Sequence, residues 1–404
     1  MLNILYYIFY FFQAWISIYL LLPFLFLLVY IFKKGFNLQY NIYRKKPLLE
    51  KKFSFAAIVT AHEETRLIAP LVDSLLKQTY PNLQIYVVAD ACKDISTLVF
   101  NDARVTILKP VQDLNSKIKS IDYALNNFIT DHDVLVIFDS DNLVHPDYMD
   151  VLNRYFNMGF RAVQTNLQPK NTDSLYARLD SIGDIYHNFT EREIRMEMGL
   201  SSAIWGLGIA IETSLYKSII YQNFLGGFDK RIQADIVRQI PQLAFAKEAM
   251  VYDEKISSGK ALETQRTRWI NAYFKYFKLA WAVFIHGIKK LDLNTAFFGF
   301  INLRPPLFIV LGLALLFAIV NIFINTTMAL LWTGLLILFV LTFFTIIVIK
   351  CKDKKTIGSL IYLPLFVLRQ VLALFKIKKA NKSFLKTEHN KVIYIDDLIK
   401  NEPA

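Results

Sequence analysis

Hydrophobic residues are concentrated in uncharged tracts near both ends of the chain, and a region of mixed composition lies between them. The first tract, residues 4–32, is long enough to cross a bilayer core of roughly 30 Å. The second, residues 305–349, is too long for one helix, and polar residues around Asn325 divide it into two predicted spans. Because residues 4–32 lack a charged start and a small-residue cleavage site, we expect a retained anchor rather than a signal peptide.

Two further apolar stretches carry charges and are interpreted as helices in the membrane interface. Residues 272–288 are rich in aromatic residues and contain Lys275 and Lys278, a composition typical of interfacial helices. Residues 357–375 contain Arg369 and are flanked by lysines on both sides. If both flanks stay on one side of the membrane, this stretch cannot span it. We therefore interpret it as interfacial or re-entrant, with a further span as the alternative.

Strand and helix patterns alternate in the middle of the chain. Strands are predicted at residues 53–61, 84–89, 105–108 and 135–138. Leu67, Leu71 and Leu75 recur at helical spacing, and residues 117–128 predict a second helix. Strands that alternate with helices at this spacing predict a mostly parallel sheet covered on both faces.

Polar residues follow several of these strands, and sheets of this kind bind ligands at the carboxyl ends of their strands. The residues that follow are His62-Glu63-Glu64, Asp90 and Asp139-Ser140-Asp141. Asp139 and Asp141 stand at i and i+2 and can face one point, where two carboxylates repel each other unless a cation lies between them. Oxygen ligands completed by substrate phosphates suit Mg²⁺ or Mn²⁺. The alternative is an ordinary strand end with an Asx turn.

The charge distribution predicts how the chain sits in a membrane. The 404 residues are 54% hydrophobic and 20% charged, with a formal net charge of +12. Lysines and arginines cluster after the first and the last predicted spans, which marks the cytoplasmic side. We expect the N-terminus outside, the middle domain in the cytoplasm, and the chain in the plasma (inner) membrane, where the basic clusters attract anionic lipids. No nucleic-acid partner is expected, because no basic cluster is interleaved with exposed aromatic residues. Cys92 and Cys351 are too far apart in sequence to suggest a disulfide framework.

Further motifs follow in order toward the end of the middle region. They are AIWGLGIAI (203–211), QADIVRQ (233–239), VYDE (251–254) and QRTRW (265–269). With AHEE (61–64), ADACKD (89–94) and DSD (139–141), they make the chain resemble a family 2 glycosyltransferase, similar to membrane-bound bacterial polysaccharide synthases. The resemblance implies an α/β GT-A domain, a nucleotide-diphospho-sugar transferase fold with a Rossmann-like, mostly parallel sheet, flanked by transmembrane and interfacial helices.

The resemblance also implies which residues bind the nucleotide-sugar donor. Thr60, Glu64 and Asp90 would line the pocket for the base and ribose. Lys117 would reach the diphosphate as a point charge. Asp139 and Ser140 would contact the donor, and Asp139 and Asp141 would hold the metal ion, Mg²⁺ or Mn²⁺.

The remaining implied roles concern the acceptor. Asp235 would be the general base, and Gln265, Arg268 and Trp269 would border the acceptor and the pyrophosphate. From the residues alone, the arginines of QRTRW could instead form a basic helix face, with Trp269 as an interfacial anchor. Ala234 is a departure, because the family usually places an acidic residue directly before the catalytic aspartate.

The implied reaction is inverting, metal-dependent transfer of a sugar from a nucleotide-diphosphate donor, expected to be a UDP-sugar, to a glycan acceptor at the cytoplasmic face of the membrane. Cell-surface polysaccharide synthesis is the favoured version. The alternatives are non-processive transfer of one sugar to a lipid-linked acceptor, and an inactive membrane-anchored subunit that binds sugar nucleotides, which Ala234 motivates. Membrane lipids and export proteins are the other expected partners.

The predicted domain organisation follows from these patterns. Its parts are an N-terminal transmembrane helix (1–32), a basic linker (33–52), a cytoplasmic GT-A domain (53–270), interfacial helices (271–304), two transmembrane helices (305–349), and a basic interfacial or re-entrant helix with the C-terminal tail (350–404).

Overall fold

The computed structural model describes residues 2–96, 98–219, 227–375 and 391–400. These residues divide into two compact units. The sheet unit is drawn from the ranges Asn41–Ala177, Gly199–Ser257 and Lys386–Ala404. The helical unit is drawn from the ranges Met1–Tyr40, Arg178–Met198 and Ser258–Leu385.

The described residues of the sheet unit form one eight-stranded sheet in the order β3-β2-β1-β4-β7-β6-β8-β5. The strands are β1 (Phe55–His62), β2 (Leu83–Asp90), β3 (Val105–Leu108), β4 (Val134–Asp139), β5 (Leu143–Val144), β6 (Ala162–Pro169), β7 (Ile209–Glu212) and β8 (Ala244–Asp253). β1 pairs in parallel with both β2 and β4, and β2 with β3. The predicted parallel half of the sheet is therefore confirmed, while β5 to β8 add a mixed half that the sequence pattern did not predict.

Helices pack on this sheet because their apolar faces match its buried strands. They are α2 (Ile68–Leu76), α3 (Lys117–Asn126), α4 (Tyr148–Asn157), α7 (Thr213–Lys217), α8 (Phe228–Ile236) and, near the C-terminus, α15 (Ile395–Lys400), with a 3₁₀ turn at Ile42–Arg44. On one face, Ile121 of α3 and Ile232 of α8 join Ile58 and Ile137 of the strands in a fully buried cluster. Burial of such side chains contributes about 1.5–3 kcal/mol each, which holds α3 and α8 against the strands.

The helical unit contains the long apolar helices. Its elements are α1 (Leu2–Gly35), α5 (Leu175–Asn188), a π-helical turn (Phe189–Glu193), α6 (Ile194–Glu197), α9 (Gly259–Lys290), α10 (Leu293–Asn302), α11 (Leu307–Ile324), α12 (Thr326–Lys350), α13 (Lys354–Gly358), a 3₁₀ turn (Ser359–Tyr362) and α14 (Leu363–Phe375). α9 is continuous over 32 residues, so the predicted boundary between residues 270 and 271 falls inside it.

Four helical stretches among the described residues are long and apolar enough to cross a membrane. They are Tyr6–Gly35, Leu307–Ile324, Thr326–Lys350 and Lys354–Leu374. The first three coincide with the predicted spans. The fourth coincides with the stretch that we interpret as interfacial or re-entrant, with a further span as the alternative.

A set of ion pairs joins the ends of these helices within the helical unit. Three glutamates of the segment 191–197 each bind a cation from a different part of the unit: Glu191 binds Arg304, Glu193 binds Lys350, and Glu197 binds Lys33. Burial opposes the charge of Glu191, but His187, Arg304 and Arg192 outweigh it and hold the pKa of its carboxyl well below the usual value. Lys33 and Lys350 thus bind protein carboxylates, although we expected their clusters to attract lipid headgroups.

Candidate active site at the carboxyl edge of the sheet

The carboxyl ends of β1, β2 and β4 lie side by side. In the parallel register, Thr60 of β1 is opposite Asp139 of β4, and His62 of β1 is opposite Asp90 of β2. The polar residues that follow these strands are therefore neighbours along one edge, as the sequence pattern predicted.

The loops at this edge contain backbone conformations that side chains other than glycine rarely adopt. Glu63, Ala91 and Asn115 have φ of 60°, 53° and 49°. Glu63 follows β1, Ala91 follows β2, and Asn115 precedes α3. Strained backbone of this kind persists where the surrounding structure fixes it, commonly at functional sites.

Asp139 is the last residue of β4 and keeps an accessible side chain, 39% exposed. Its carboxylate accepts a hydrogen bond from Lys117 Nζ at 2.5 Å. Its backbone N–H donates to Asn142 Oδ1 at 2.9 Å, which closes the DSD turn. This bond uses the backbone of Asp139 and not its carboxylate, so the Asp139 side chain remains available to a ligand.

Asp141 lies in the same turn and is buried. Lys170 Nζ donates to its carbonyl oxygen at 3.1 Å. Burial lowers the pKa of the Lys170 ammonium, and the nearby Asp141, Glu254 and Asp253 carboxyls oppose that shift. A buried amine therefore supports the second half of the DSD turn, a contact that no local sequence signal indicated.

Lys117 connects the DSD turn to the glycine-rich segment. Its Nζ also donates to the Gly206 carbonyl at 3.0 Å and lies 5.0 Å from the centre of the Phe228 ring. Gly206 has φ +83°, and a Cβ there would stand 3.3 Å from Asp229 Cβ. This close approach of the backbone to the start of α8 requires glycine.

Two buried glutamines hold the glycine-rich segment in place. Gln164 of β6 donates to the Leu207 carbonyl at 3.0 Å and accepts from the Trp205 N–H at 2.9 Å. Gln233 of α8 accepts from the Ile204 N–H at 3.3 Å. Sequence reasoning missed Gln164, which is one of several uncharged polar residues in β6 and has no local signal that distinguishes it.

Asp235 lies in the last turn of α8, with a side chain that is mostly buried. One carboxylate oxygen accepts from Arg231 Nε at 2.7 Å, and the other pairs with Arg238. Ala234, which stands where the family usually has a second acidic residue, is buried beside it. The two arginines therefore orient the Asp235 carboxylate in the absence of that neighbour.

The residues expected in the base and ribose pocket have well-defined partners. Asp90 is buried, and its carboxylate accepts from the backbone N–H groups of Leu114 and Asn115 at 2.7 and 2.9 Å and contacts His62 Nδ1 at 3.0 Å. Asp90 thus fixes the loop that leads into Lys117.

Thr60 and Glu64 are also held in place, and Ser140 is partly exposed in the DSD turn. Thr60 donates to the Phe138 carbonyl at 3.1 Å. The Arg66 guanidinium and backbone N–H lower the pKa of the Glu64 carboxyl to about 2. Both residues flank the end of β1, where we expect the nucleotide.

The QRTRW stretch lies on α9, in the helical unit. Trp269 is 45% exposed, and the Arg266 guanidinium lies 4.1 Å from the centre of its ring. Arg266 is held in turn by an ion pair with Asp180. Gln265 and Arg268 lie on the same helix, and within the described residues the buried Oε1 of Gln265 accepts no hydrogen bond.

The part of the chain that contains β1 to β8 and the start of α9 matches a known family of proteins. The model of the family described as "Glycosyltransferase like family 2" matches residues 53–272, more than half of the 404-residue chain. The hyaluronan synthase of Streptococcus pyogenes serotype M1 is 23% identical over 376 residues, which cover 86% of this chain and 84% of that protein.

Solved structures with similar chains include the mannosyltransferase PcManGT from Pyrobaculum calidifontis in complex with GDP-Man and Mn²⁺. It has a TM-score of 0.47 and 15% identity, over 84% of this chain and 99% of that chain. Another is S. aureus TarS 1-349 in complex with UDP-GlcNAc, with a TM-score of 0.38 and 13% identity, over 60% of this chain and 89% of that chain. From the match of the family model, together with the parallel strands and the apolar helices, the chain belongs to the family 2 glycosyltransferases and is a membrane-associated GT-A enzyme related to the polysaccharide synthases.

Proposed function

We propose that the chain transfers a sugar from a UDP-sugar to a glycan acceptor at the cytoplasmic face of the membrane, with inversion at the anomeric carbon. The observation that carries the proposal is the meeting of the Asp139 carboxylate, the Lys117 ammonium and the Gly206 carbonyl at the carboxyl edge of parallel strands. Nucleotides bind at this edge of α/β sheets. A cation beside an accessible carboxylate suits a diphosphate that arrives with a divalent metal ion.

The side chains at this edge suit Mg²⁺ or Mn²⁺. Asp139 and Asp141 offer carboxylate oxygens, and within the described residues no group of three or more His, Cys, Asp or Glu side chains is placed to hold a metal ion. A site with one or two protein carboxylates takes its remaining ligands from substrate phosphates and water, as Mg²⁺ sites with nucleotides do. Bound there, the ion would neutralise the charge that develops on the leaving diphosphate.

Lys117 would bind the diphosphate from the other side. Its ammonium has three donor hydrogens, of which two are directed at Asp139 and Gly206. The third remains for a phosphate oxygen. The ion pair with Asp139 therefore holds Lys117 in position without excluding the donor.

Asp235 would accept the proton of the acceptor hydroxyl as that oxygen attacks the anomeric carbon. One general base and no covalent nucleophile correspond to a single displacement, and therefore to inversion. A carboxylate has about four lone-pair sites, so the bonds to Arg231 and Arg238 leave room for the hydroxyl. The arginines would orient the base toward it.

Gln265, Arg268 and Trp269 would border the acceptor. A flat indole suits the face of a sugar ring, and Arg266 supports Trp269 while the ring stays accessible. Polysaccharide synthesis is favoured over a single transfer because the similarity to a hyaluronan synthase extends over 86% of this chain, beyond the sheet unit and into the helical unit. The length of the product distinguishes the two.

The test is sugar transfer by the purified full chain in lipid nanodiscs. UDP- and GDP-sugars are supplied with Mn²⁺, with Mg²⁺ or with a chelator, and products are identified by mass spectrometry. Loss of a general base typically lowers the rate by about 10² to 10⁴. We therefore expect the rate of sugar transfer by Asp235→Asn to be lower than that of wild type by this factor. Asp131→Asn, an exposed aspartate in the loop before β4, is the matched control. Equal rates for wild type and Asp235→Asn would refute the assignment of the base.

A further inference from the structure

The C-terminal segment, residues 391–400, packs against the sheet unit directly behind the DSD turn. Ile395 is fully buried and forms a cluster with Leu143 of β5 and Tyr252 of β8. Leu398 and Ile399 pack against the same cluster. β5 is the edge strand of the sheet and begins two residues after Asp141. The segment therefore covers an edge that the sheet would otherwise expose.

Polar contacts at Lys391 and Asp396 fix the position of the segment. The Lys391 N–H donates to Glu254 Oε2 at 3.0 Å, and the Lys391 ammonium pairs with Asp173. On the other side, Asp396 accepts from Lys77 Nζ at 2.8 Å, just after α2. The segment thus binds at separate places on the sheet unit and does not rest on Ile395 alone.

The surface that it covers is linked to the DSD turn by hydrogen bonds. Asn142 is the connecting residue, because its Oδ1 accepts from the Asp139 N–H at 2.9 Å and its Nδ2 donates to Asp253 Oδ1 at 3.1 Å. Asp253 also pairs with the buried Lys255 at 2.9 Å. Asp253 stands between Tyr252 and Glu254, two of the residues that the C-terminal segment contacts.

The short strand β5 gives a second connection. It is two residues long, Leu143–Val144, and pairs antiparallel with Tyr252 and Val251 of β8. A strand this short is held mainly by what packs on its side chains. Leu143 packs against Ile395, so release of the C-terminal segment would loosen the chain directly after Asp141.

We propose that residues 391–400 support the donor site from behind it, with Ile395 as the positioning residue that holds the DSD turn in its metal-binding geometry through Leu143, Tyr252 and Asn142. This inference rests on the proposed role of Asp139 and Asp141. Groups that orient metal-binding carboxylates typically change metal affinity by roughly 10- to 100-fold when they are lost.

The test uses full-length variants in nanodiscs, with Mn²⁺ and UDP as the probe. Ile395→Asp places a charge in the apolar cluster and should raise the dissociation constant of UDP in the presence of Mn²⁺ about tenfold. It should also raise the KM for the donor more than it lowers kcat. Ile395→Leu should restore wild-type values. Val392→Asp, at an exposed position of the same segment, is the matched control and should bind as wild type.

Amide hydrogen exchange separates this inference from the proposed function. In Ile395→Asp, exchange at residues 139–144 should accelerate while exchange in β1 and β2 stays as in wild type. That result supports the positioning role even if the wild-type chain binds no Mn²⁺–UDP, an outcome that would count against the proposed function alone. Unchanged exchange at residues 139–144 in Ile395→Asp would overturn the inference. If the wild-type chain binds UDP, an unchanged UDP affinity of Ile395→Asp would overturn it as well.

Discussion

Carboxylates beside cations occur in both units, but in opposite surroundings. At the carboxyl edge of the sheet, Asp139 has a side chain that is 39% exposed and shares Lys117 with a backbone carbonyl. In the helical unit, Glu193 and Glu197 are buried and Glu191 is mostly buried, and each binds a cation. A carboxylate that stays accessible to solvent can exchange its partner for a ligand. A buried and paired charge cannot do so without breaking the structure around it.

The difference leads to opposite expectations for the same substitution. Removal of a carboxylate from the helical unit should affect stability and leave donor affinity unchanged. Removal of the Asp139 carboxylate from the sheet edge should affect donor affinity and leave stability nearly unchanged, because an exposed ion pair contributes little to stability. The comparison thus separates ion pairs that maintain the fold from ion pairs whose members can bind a substrate.

The largest effect is expected from Glu193→Gln, which leaves the Lys350 ammonium in a mostly buried position without its carboxylate. Breaking a buried pair typically costs about 3–5 kcal/mol. The free energy of unfolding, measured by denaturant titration in detergent, should fall by about that amount, with Mn²⁺-dependent UDP affinity unchanged.

Two controls accompany this substitution. Arg161→Gln breaks the more exposed pair with Glu212 and should cost about 0–1 kcal/mol. Replacing Glu193 and Lys350 together with leucine should recover much of the loss, because no unpaired charge remains. A loss as small as that of Arg161→Gln would show that Glu193 and Lys350 do not behave as a buried pair.

The parallel half of the sheet could be predicted because its signals are local. β1, β2 and β4 are apolar runs, helices α2 and α3 lie between strands, and the predicted residues 105–108 coincide with β3. The mixed half could not be predicted in this way, because its strands pair with distant partners. Val163 of β6 lies opposite Ala210 of β7, and β8 joins β6 with a register shift after Thr165.

The candidate site shows the same division. Asp139 and Asp141 stand at the end of β4, so the pattern of strands pointed to them, whereas Lys117 was indicated by the family resemblance. Asn142, Gln164 and Lys170 act through buried hydrogen bonds to segments far away in sequence. Polar residues of this kind resemble any other loop or strand residue until the fold brings their partners together. In the same way, the sequence of segment 191–197 resembles an ordinary charged helix face, because the cations that bind its glutamates come from distant parts of the chain.

An intermediate effect is expected from Asp141→Asn at the sheet edge. The affinity for UDP in the presence of Mn²⁺ should fall by at least the roughly 10- to 100-fold that accompanies loss of a group orienting a metal ligand. Titration calorimetry with and without Mn²⁺ measures the change, and the affinity without metal should not move. Unchanged metal-dependent affinity would remove Asp141 from the site.

The smallest effect concerns pH and the C-terminal segment. The Lys391 ammonium lowers the pKa of the Asp173 carboxyl to about 2, below the value of about 3.9 for an unfolded chain. Because the folded-state pKa is depressed, the pair stabilises the bound segment fully above pH about 4 and loses this contribution as the pH falls toward 2. Asp173 is 57% exposed, so solvent screening keeps the contribution below about 1 kcal/mol.

The measurement compares wild type with Asp173→Asn by amide hydrogen exchange of residues 391–400, corrected for the intrinsic effect of pH on exchange rates. At pH 6, residues 391–400 should be better protected from exchange in wild type than in Asp173→Asn. This difference in protection should shrink as the pH approaches 2. A difference that persists at pH 2 would mean that Asp173 holds the segment through something other than its charge. The contribution attributed to the Lys391 ion pair would then belong to the neighbouring contact between Lys391 and Glu254.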